Sequence, residues 1–494
     1  MNVAIVRFLL RILPSRIAIA ISKRLGLDIR AMWSHSRMTY LARDKYEINV
    51  KKLIHLITNG CCSPVGWGLE WGCAMEASFR AIHLARFLRR NSANKKQLIA
   101  AIALFELRKN VKFVCENLET HSFNNHYLLN ICAIAVADAL AENVVPSAFG
   151  RSFYDVELSR CCKNQFLADG TNFEGSTSYH ALALEALAIV AEMNPRSGAL
   201  IRESINLNNA LLFLQGSITR QGELIAIGDN DSSTFVPSER FRLLQQEYIM
   251  ETFVSDGRGL ATGKNRVIWF RDFQAAIYRG QRYSFYLWMP QADQNGKGGH
   301  NHDDLGSISV LCGQDRLIIG DPGIYSYTHD RRAYRERGAH SVVISPNVDL
   351  RSRDFTGNFQ SIGKGTGILR GSGDRVEAHV LLNNGAKITR FFRMEENRIE
   401  ALDRVEYQGT LAVRCTALFT LHPDVRLDIE RGAIIFRDKK TEELIAKMHI
   451  GEEVEVFTSP IFYAPEYGMQ KKSVQLALAS ASASLEWSLI FQAS

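Results

Sequence analysis

At 494 residues the chain exceeds what one hydrophobic core organises, so two domains with a terminal extension are expected. Its hydrophobic fraction of 46% and charged fraction of 22% are those of a globular protein, and no run of about 20 uncharged apolar residues offers a membrane span. The net charge of +7 sits at one end: residues 1–52 hold eleven Lys and Arg against three acids, a net +8, which leaves −1 for the rest and argues against a nucleic-acid-binding body.

Residues 1–60 read as a basic amphipathic extension. Arg7, Arg11, Ser15 and Ser22 fall on one helical face, against Val6, Phe8, Leu9, Leu10, Ile12, Leu13, Ile17 and Ile21. Over residues 1–24 this pattern suits peripheral contact with an anionic membrane surface, or a helix packed on the protein's own core. Pro14 kinks or splits the helix in either case. Arg7, Arg11 and Arg16 interrupt the apolar stretch and no small-residue cleavage site follows, unlike a signal peptide. The nine cysteines include the vicinal pairs Cys61-Cys62 and Cys161-Cys162 and no Cys-x-x-Cys spacing. Free thiols in this number fit a reducing compartment.

Residues 61–265 form the next region, helical in pattern. Apolar residues recur at spacings of three and four over 71–82, then again over 97–108, 127–142, 178–193 and 208–215. Asn, Gly, Ser and Pro mark the links, as in a run of helical hairpins that curls into a toroid. Residues 266–494 change character. Alternating or apolar runs of strand length occupy 274–278, 283–288, 307–311, 316–320, 340–344 and 386–392, separated by turn residues such as Asn383-Asn384-Gly385. Helices first and strands after, with one switch near 260–270, predict an α+β chain whose second domain is an antiparallel β-sandwich.

The densest group of ligand-capable side chains is Gly298-Gly299-His300-Asn301-His302-Asp303-Asp304. In a strand His300 and His302 share a face. Downstream follow an apolar run into Gly320-Asp321-Pro322-Gly323 with Tyr325 and Tyr327, then Ala339-His340. Upstream stand Asn124-Asn125-His126-Tyr127, the stretch Asp169-Gly-Thr-Asn-Phe-Glu174-Gly-Ser-Thr-Ser-Tyr179-His180, and Gly228-Asp229. In this order and spacing, over roughly residues 65 to 350, these motifs resemble the heparinase II/III family of polysaccharide lyases.

The resemblance implies an (α/α) toroid, here incomplete because the helical part is short, followed by an antiparallel β-sandwich. It implies β-elimination at a uronic acid of an acidic polysaccharide. Asn125, with His126, serves the carboxylate, and Tyr179 and His300 supply base and acid, in an order left open. A tyrosine of ordinary pKa about 10 needs a cationic or metal-rich surround to act as a base. His302, Asp321 and His340 are implied as ligands of zinc or another divalent metal, held mainly as a structural clamp, with Asp303 or Asp304 orienting an imidazole. Glu174, expected to pair with His126 or cap the Tyr179 helix, joins Arg335 and Trp71 as substrate-binding candidates. Arg331, Arg332 and Arg337 are read as a solvated loop or as further carboxylate grips. A bacterial protein of the cytoplasm, or peripheral at the inner membrane, is expected, with the periplasm as the alternative. Two other functions stay open: a non-catalytic glycan-binding protein of surface-polysaccharide metabolism, and a metal-dependent glycan hydrolase in which His302, Asp321 and His340 activate water. Oligomeric state is not legible.

Overall fold

A computed structural model describes residues 13–24, 37–38, 65–91, 97–141, 143–236, 241–254, 266–290, 299–313, 315–328 and 330–492. The helices are α1 (Ser15–Arg24), α2 (Ala74–Arg90), α3 (Gln97–Glu116), α4 (Asn125–Leu140), α5 (Arg151–Gln165), α6 (Thr177–Met193), α7 (Pro195–Ser204), α8 (Leu207–Gly216), α9 (Phe241–Phe253) and the short α10 (Arg331–Arg335). The first strand begins at Arg266. The observed class is therefore the expected one, helices followed by antiparallel sheets.

The chain forms two compact units that interleave in sequence. The first comprises residues 1–166, 181–207 and 233–257. In it α2 packs on α3 and α4, and α5 packs on α4 and α7, as successive hairpins. Helix α4 (NHYLLNICAIAVADAL) is apolar on nearly every side, so it is buried around most of its circumference. Its start is fixed by Asn124, whose side chain accepts from the His126 N–H at 3.0 Å. Helix α7 uses Asn194 as its cap, followed by Pro195 at the first helical position.

In the N-terminal extension, residues 1–12 lie outside the described residues, and with them Arg7 and Arg11 of the expected basic face. In α1 the buried residues are Ser15, Ala18 and Ser22, while Ile17 and Ile21 are exposed. The serine face is thus turned inward, opposite to the expectation, because small residues permit a close approach: Ile19 packs against Gly72. Among the described residues no helix is long and apolar enough to cross a membrane.

The second unit comprises residues 167–180, 208–232 and 258–494. One antiparallel sheet runs β1 (Arg266–Phe270), β2 (Ala275–Arg279), β3 (Tyr283–Trp288), β4 (Ser307–Cys312), β5 (Arg316–Gly320), β13 (Thr416–Leu421), β18 (Lys471–Ala479), β17 (Glu455–Tyr463), with β6 (Val343–Ile344) also on β13. The other runs β14 (Val425–Glu430), β15 (Ala433–Asp438), β16 (Leu444–Ile450), β19 (Ser484–Phe491), β12 (Arg398–Glu406), β11 (Lys387–Met394), β10 (Arg375–Leu382), β9 (Gly365–Ser372). A hairpin of β7 (Arg353–Gly357) and β8 (Gln360–Gly363) stands apart from both. The two large sheets bury their facing residues in one core; Phe285 and Phe392 meet across it at 4.8 Å, and Tyr283 stacks on Phe491 at 4.5 Å.

One inward pair in that core is charged. Arg390 and Asp403 stand opposite each other in the β11–β12 register, both buried, with Arg390 Nε donating to Asp403 Oδ1 at 2.7 Å. Trp487 Nε1 donates to the other carboxylate oxygen at 3.0 Å. Arg390 Nη1 reaches the carbonyls of Gly306 at 2.8 Å and Ser341 at 2.9 Å. The ion pair thereby braces the chain on either side of the cluster that holds His302 and His340.

A single cut near residue 265 does not describe these units, since 167–180 and 208–232 cluster with the strands. Specific contacts account for it. Phe213 of α8 packs on Phe270 and Phe273 at 4.9 and 5.1 Å. Tyr286 donates its hydroxyl to the Gly216 carbonyl at 2.9 Å, and Asp169 Oδ2 accepts the N–H groups of Asp272 and Phe273 at 2.8 and 2.9 Å.

Candidate active site

Three backbone segments of the strand unit converge where glycine alone fits. Gly228 has φ +62°, and a Cβ there would lie 2.6 Å from the carbonyl oxygens of both Gly175 and His300. Gly175 has φ +69°, and a Cβ there would overlap the Asn301 side chain. The crossing is stitched by Asp229 N–H to His300 O at 3.0 Å and by Ser176 Oγ to Asp229 O at 2.7 Å. Ser176 also caps α6, accepting the Tyr179 N–H at 3.2 Å. Glu174, Tyr179, Asp229 and His300, far apart in sequence, are thus fixed side by side.

The Tyr179 ring stacks on His300, with centroids 3.9 Å apart and planes 29° from parallel. The Tyr179 hydroxyl donates to Asp231 Oδ2 at 3.0 Å and lies 2.8 Å from the Tyr327 hydroxyl. His300 is held at both nitrogens: Nδ1 is 2.7 Å from Asp229 Oδ2, and Nε2 is 3.3 Å from Glu174 Oε2. Arg331 donates to the same Asp229 Oδ2, and its guanidinium lies over the rings of Tyr327 and Phe359 at 4.8 and 4.4 Å.

Asp229 is the electrostatic centre of this group. Burial alone would raise its carboxyl pKa, but Arg331 and the hydrogen bonds from His300 and His302 hold it well below the ordinary carboxylate range. It is an anion shared by three donors. Burial and the charges of Asp229, Tyr179 and Asp231 push the Tyr327 phenol well above its usual range, against Arg331, so Tyr327 stays protonated and able to donate.

Behind the pair lies the expected ligand trio. One donor atom each of His302, Asp321 and His340 falls within 4.8 Å of the others, and all three residues are buried. His302 Nε2 is 3.0 Å from Asp229 Oδ1, and His340 Nδ1 is 2.6 Å from Asp321 Oδ2. The remaining ring nitrogens, His302 Nδ1 and His340 Nε2, are buried with no hydrogen-bond partner. Unsatisfied imidazole nitrogens beside a buried carboxylate are costly in a metal-free cluster and natural in a metal shell. The donor set fits a divalent ion of the zinc type.

Several expectations need correction. Trp71 is buried, wedged against Phe113 at 4.9 Å and under Arg80 at 4.8 Å, so it is a packing residue with no face for a sugar. Arg335 is buried over Phe355 and donates to the carbonyls of Asn301 and Asn358, each at 3.0 Å, which makes it a brace for the histidine segment. Arg331 and Arg337 are buried as well, and only Arg332 of that group is solvated. Among the described residues neither Asp303 nor Asp304 hydrogen-bonds an imidazole: Asp303 accepts from Ser352 N–H at 2.8 Å and Asp304 from Trp288 Nε1 at 2.8 Å. Asp229 takes that role for both histidines. Glu174 pairs with His300, and Ser176 is the cap.

Asn125 and His126 belong to the helical unit, at the first turn of α4; Asn125 is buried and the His126 ring about one-third exposed. Glu174, Tyr179 and His300 belong to the strand unit. Sequence reasoning missed Asp231 and Tyr327 as partners of Tyr179. The signal available was Asp231 closing Gly228-Asp229-Asn230-Asp231, and Tyr327 four residues after Gly323.

Residues 264–488 match the family model described as heparinase II/III-like, C-terminal. The solved structure of heparinase III aligns over 89% of this chain and 72% of its own, with TM-score 0.65 and 15% identity. The heparan sulfate lyase HepC from Pedobacter heparinus aligns over 96% of this chain and 77% of its own, with TM-score 0.60 and 14% identity. No curated protein sequence matches the chain. At these identities the structural likeness is one of fold, and it agrees with the family match over the strand unit. Residues 264–488 are thus similar to the C-terminal domain of the heparinase II/III-like family, and the chain shares the fold of these lyases.

Proposed function

We propose that the protein is a polysaccharide lyase that cleaves an acidic, uronate-containing polysaccharide by β-elimination, with Tyr179 and His300 as its proton-transfer pair. The observation that carries this reading is the stack of these two rings at 3.9 Å, each backed by a buried carboxylate. In β-elimination a base removes the C5 proton, the C4–O4 bond breaks as C4=C5 forms, and an acid delivers a proton to O4. Two proton-handling groups side by side are what that sequence requires.

The surroundings suit both residues. Asp229 accepts the hydrogen bond from His300 Nδ1–H and stays ionised, leaving Nε2 to exchange protons, with Glu174 beside it. Asp231 accepts from the Tyr179 hydroxyl and the Tyr327 hydroxyl lies 2.8 Å from the same oxygen, so the phenol is fixed in orientation beside the His300 ring. Neutralising the uronate carboxylate falls to Asn125 on the family resemblance alone. His302, Asp321 and His340 would hold a zinc ion that stiffens the segment carrying His300. Their burial speaks against the hydrolase reading, in which they would activate water at the sugar.

The test is ultraviolet absorbance of the unsaturated uronate product over a panel of heparan, chondroitin and other uronate polymers. Absorbance with at least one polymer, abolished in Tyr179→Phe and His300→Ala, is expected. No absorbance on any polymer removes the lyase reading, and activity retained in both variants removes the site.

A further inference from the structure

We propose that the helical unit carries its own divalent-metal site, with zinc as the fitting ion, formed by Cys73, Glu119 and His126. The three residues come from separate segments: Cys73 is the N-cap of α2, Glu119 lies in the turn after α3, and His126 is in the first turn of α4. Their donor atoms form a small triangle. Cys73 Sγ is 3.5 Å from Glu119 Oε1 and 3.7 Å from His126 Nδ1, and Nδ1 is 3.0 Å from Oε1.

Those edges lie within a few tenths of an ångström of a metal shell's. With bonds of about 2.3 Å to sulfur and about 2.0–2.1 Å to nitrogen and oxygen, tetrahedral zinc sets its ligand atoms roughly 3.3–3.6 Å apart. A hydrogen-bonded cluster explains the triangle less well. Glu119 Oε1 can accept from both the thiol and Nδ1–H, but that leaves the 3.7 Å edge between Sγ and Nδ1 with no proton to share. A catalytic triad would place them on opposite ring nitrogens, and here they converge on the same one.

Supporting contacts fix the ligands as metal sites require. Glu119 Oε2 accepts the Met75 N–H at 2.9 Å, and the Glu119 N–H donates to Asn130 Oδ1 at 3.0 Å. Asn130 in turn donates to Ser78 Oγ at 3.1 Å. Cys73 is buried while His126 is partly exposed, so the fourth position faces solvent and suits a water ligand. A thiolate with an imidazole selects zinc over magnesium or calcium. The ion would pin the start of α4, where Asn125 stands, making the three ligands positioning residues for it.

Cobalt(II) loaded into the purified full-length chain tests this without a glycan substrate, so the outcome is separate from that of the lyase reading. The expected result is a thiolate-to-cobalt charge-transfer band that is lost in Cys73→Ser and kept in His302→Ala, since the His302 cluster has no sulfur. If Cys73→Ser does not fold by circular dichroism, Glu119→Gln is measured and should weaken zinc affinity by at least about tenfold. No thiolate band in the wild-type chain, a band surviving Cys73→Ser, or unchanged zinc affinity in Glu119→Gln overturns the site.

Discussion

Asp229 and His300 are joined by a 2.7 Å hydrogen bond to a carboxylate oxygen that Arg331 also grips. The other oxygen of Asp229 meets His302 Nε2, so one anion sets the tautomer of two histidines with different tasks. In the proposed elimination it fixes Nε2 of His300 as the exchanging nitrogen, and in the proposed metal shell it leaves Nδ1 of His302 to ligate.

Asp229→Asn should therefore be far more damaging than its shape suggests. An amide in this position can present its NH2 to Nδ1 and stabilise the wrong tautomer. We expect kcat to fall by about 10²–10⁴-fold with KM nearly unchanged. A lowered Tm should accompany this, because the buried Arg331 loses its counter-charge. Initial rates and a melting curve on the same preparation check both, and an unchanged kcat would sink the assignment.

Tyr327→Phe should reveal whether Tyr327 supports Tyr179 chemically. Removing one hydrogen bond, worth about 1–1.5 kcal/mol, predicts a kcat roughly tenfold lower. The alkaline side of the pH–rate profile should move with it, while KM stays in place. A change in KM alone would mean that Tyr327 contacts substrate and leaves Tyr179 unaffected.

Chelation should destabilise the strand unit if His302, Asp321 and His340 hold an ion. At a free zinc concentration about a thousandfold above Kd, the bound metal contributes about 4 kcal/mol. The Tm should drop on chelation and return with zinc, in a Cys73→Ser background that isolates this cluster. His340→Ala should abolish the response. Identical melting of chelated and zinc-loaded chains would refute metal binding there.

His83 makes a pH prediction for the helical unit. It is buried, neither ring nitrogen has a hydrogen-bond partner, and burial, helped by Arg86 and Arg90, lowers its pKa to about 3. The folded chain thus keeps it neutral while the unfolded chain binds a proton below about 6.5. Stability is lost as pH falls from about 6.5 toward about 3, by about 2 kcal/mol at pH 5. Glu185, raised to about 7 by burial, works in the opposite sense but is common to both chains in a comparison. His83→Leu should lose less stability than wild type between pH 7 and pH 5 in urea melts; parallel losses would refute the assignment.

Arg390→Met should cost about 3–5 kcal/mol, since it strands the buried Asp403 carboxylate. The double variant Arg390→Met with Asp403→Leu should recover most of that loss. Denaturant midpoints for the three chains give the answer, and equal losses for single and double variants would show that the carbonyls of Gly306 and Ser341 need the guanidinium itself.

What the sequence showed and hid follows from how each signal arises. The switch from three-and-four spacing to alternation is a property of single segments, so 177–193 or 283–288 could be read locally. Helix α5 escaped because its sequence, RSFYDVELSRCCKNQ, is polar overall and its few apolar side chains are spread round the helix instead of marking one face. Strands β9 to β12 alternate cleanly, but an inward arginine at 390 mimics a surface position until its cross-strand partner is known. The arginines of 331–337 misled for the same reason, for burial of charge depends on partners that composition does not reveal. Trp71 misled in the other direction. The grouping of Tyr179 with His300 was reachable only through family motifs, while Asp229 and Asp231 as their anchors depend on a backbone crossing that no local pattern encodes.

The interleaving of the two units has a consequence for how the chain can be handled. It passes between them at 166/167, 180/181, 207/208 and 232/233 before entering the strands for good. A fragment starting at 266 would contain His300 without Glu174, Tyr179, Asp229 or Asp231, and would leave Phe270 and Phe273 without Phe213. No single cleavage separates a working sandwich from the helices. Limited proteolysis should therefore trim the ends or inactivate the protein outright, with no active half released.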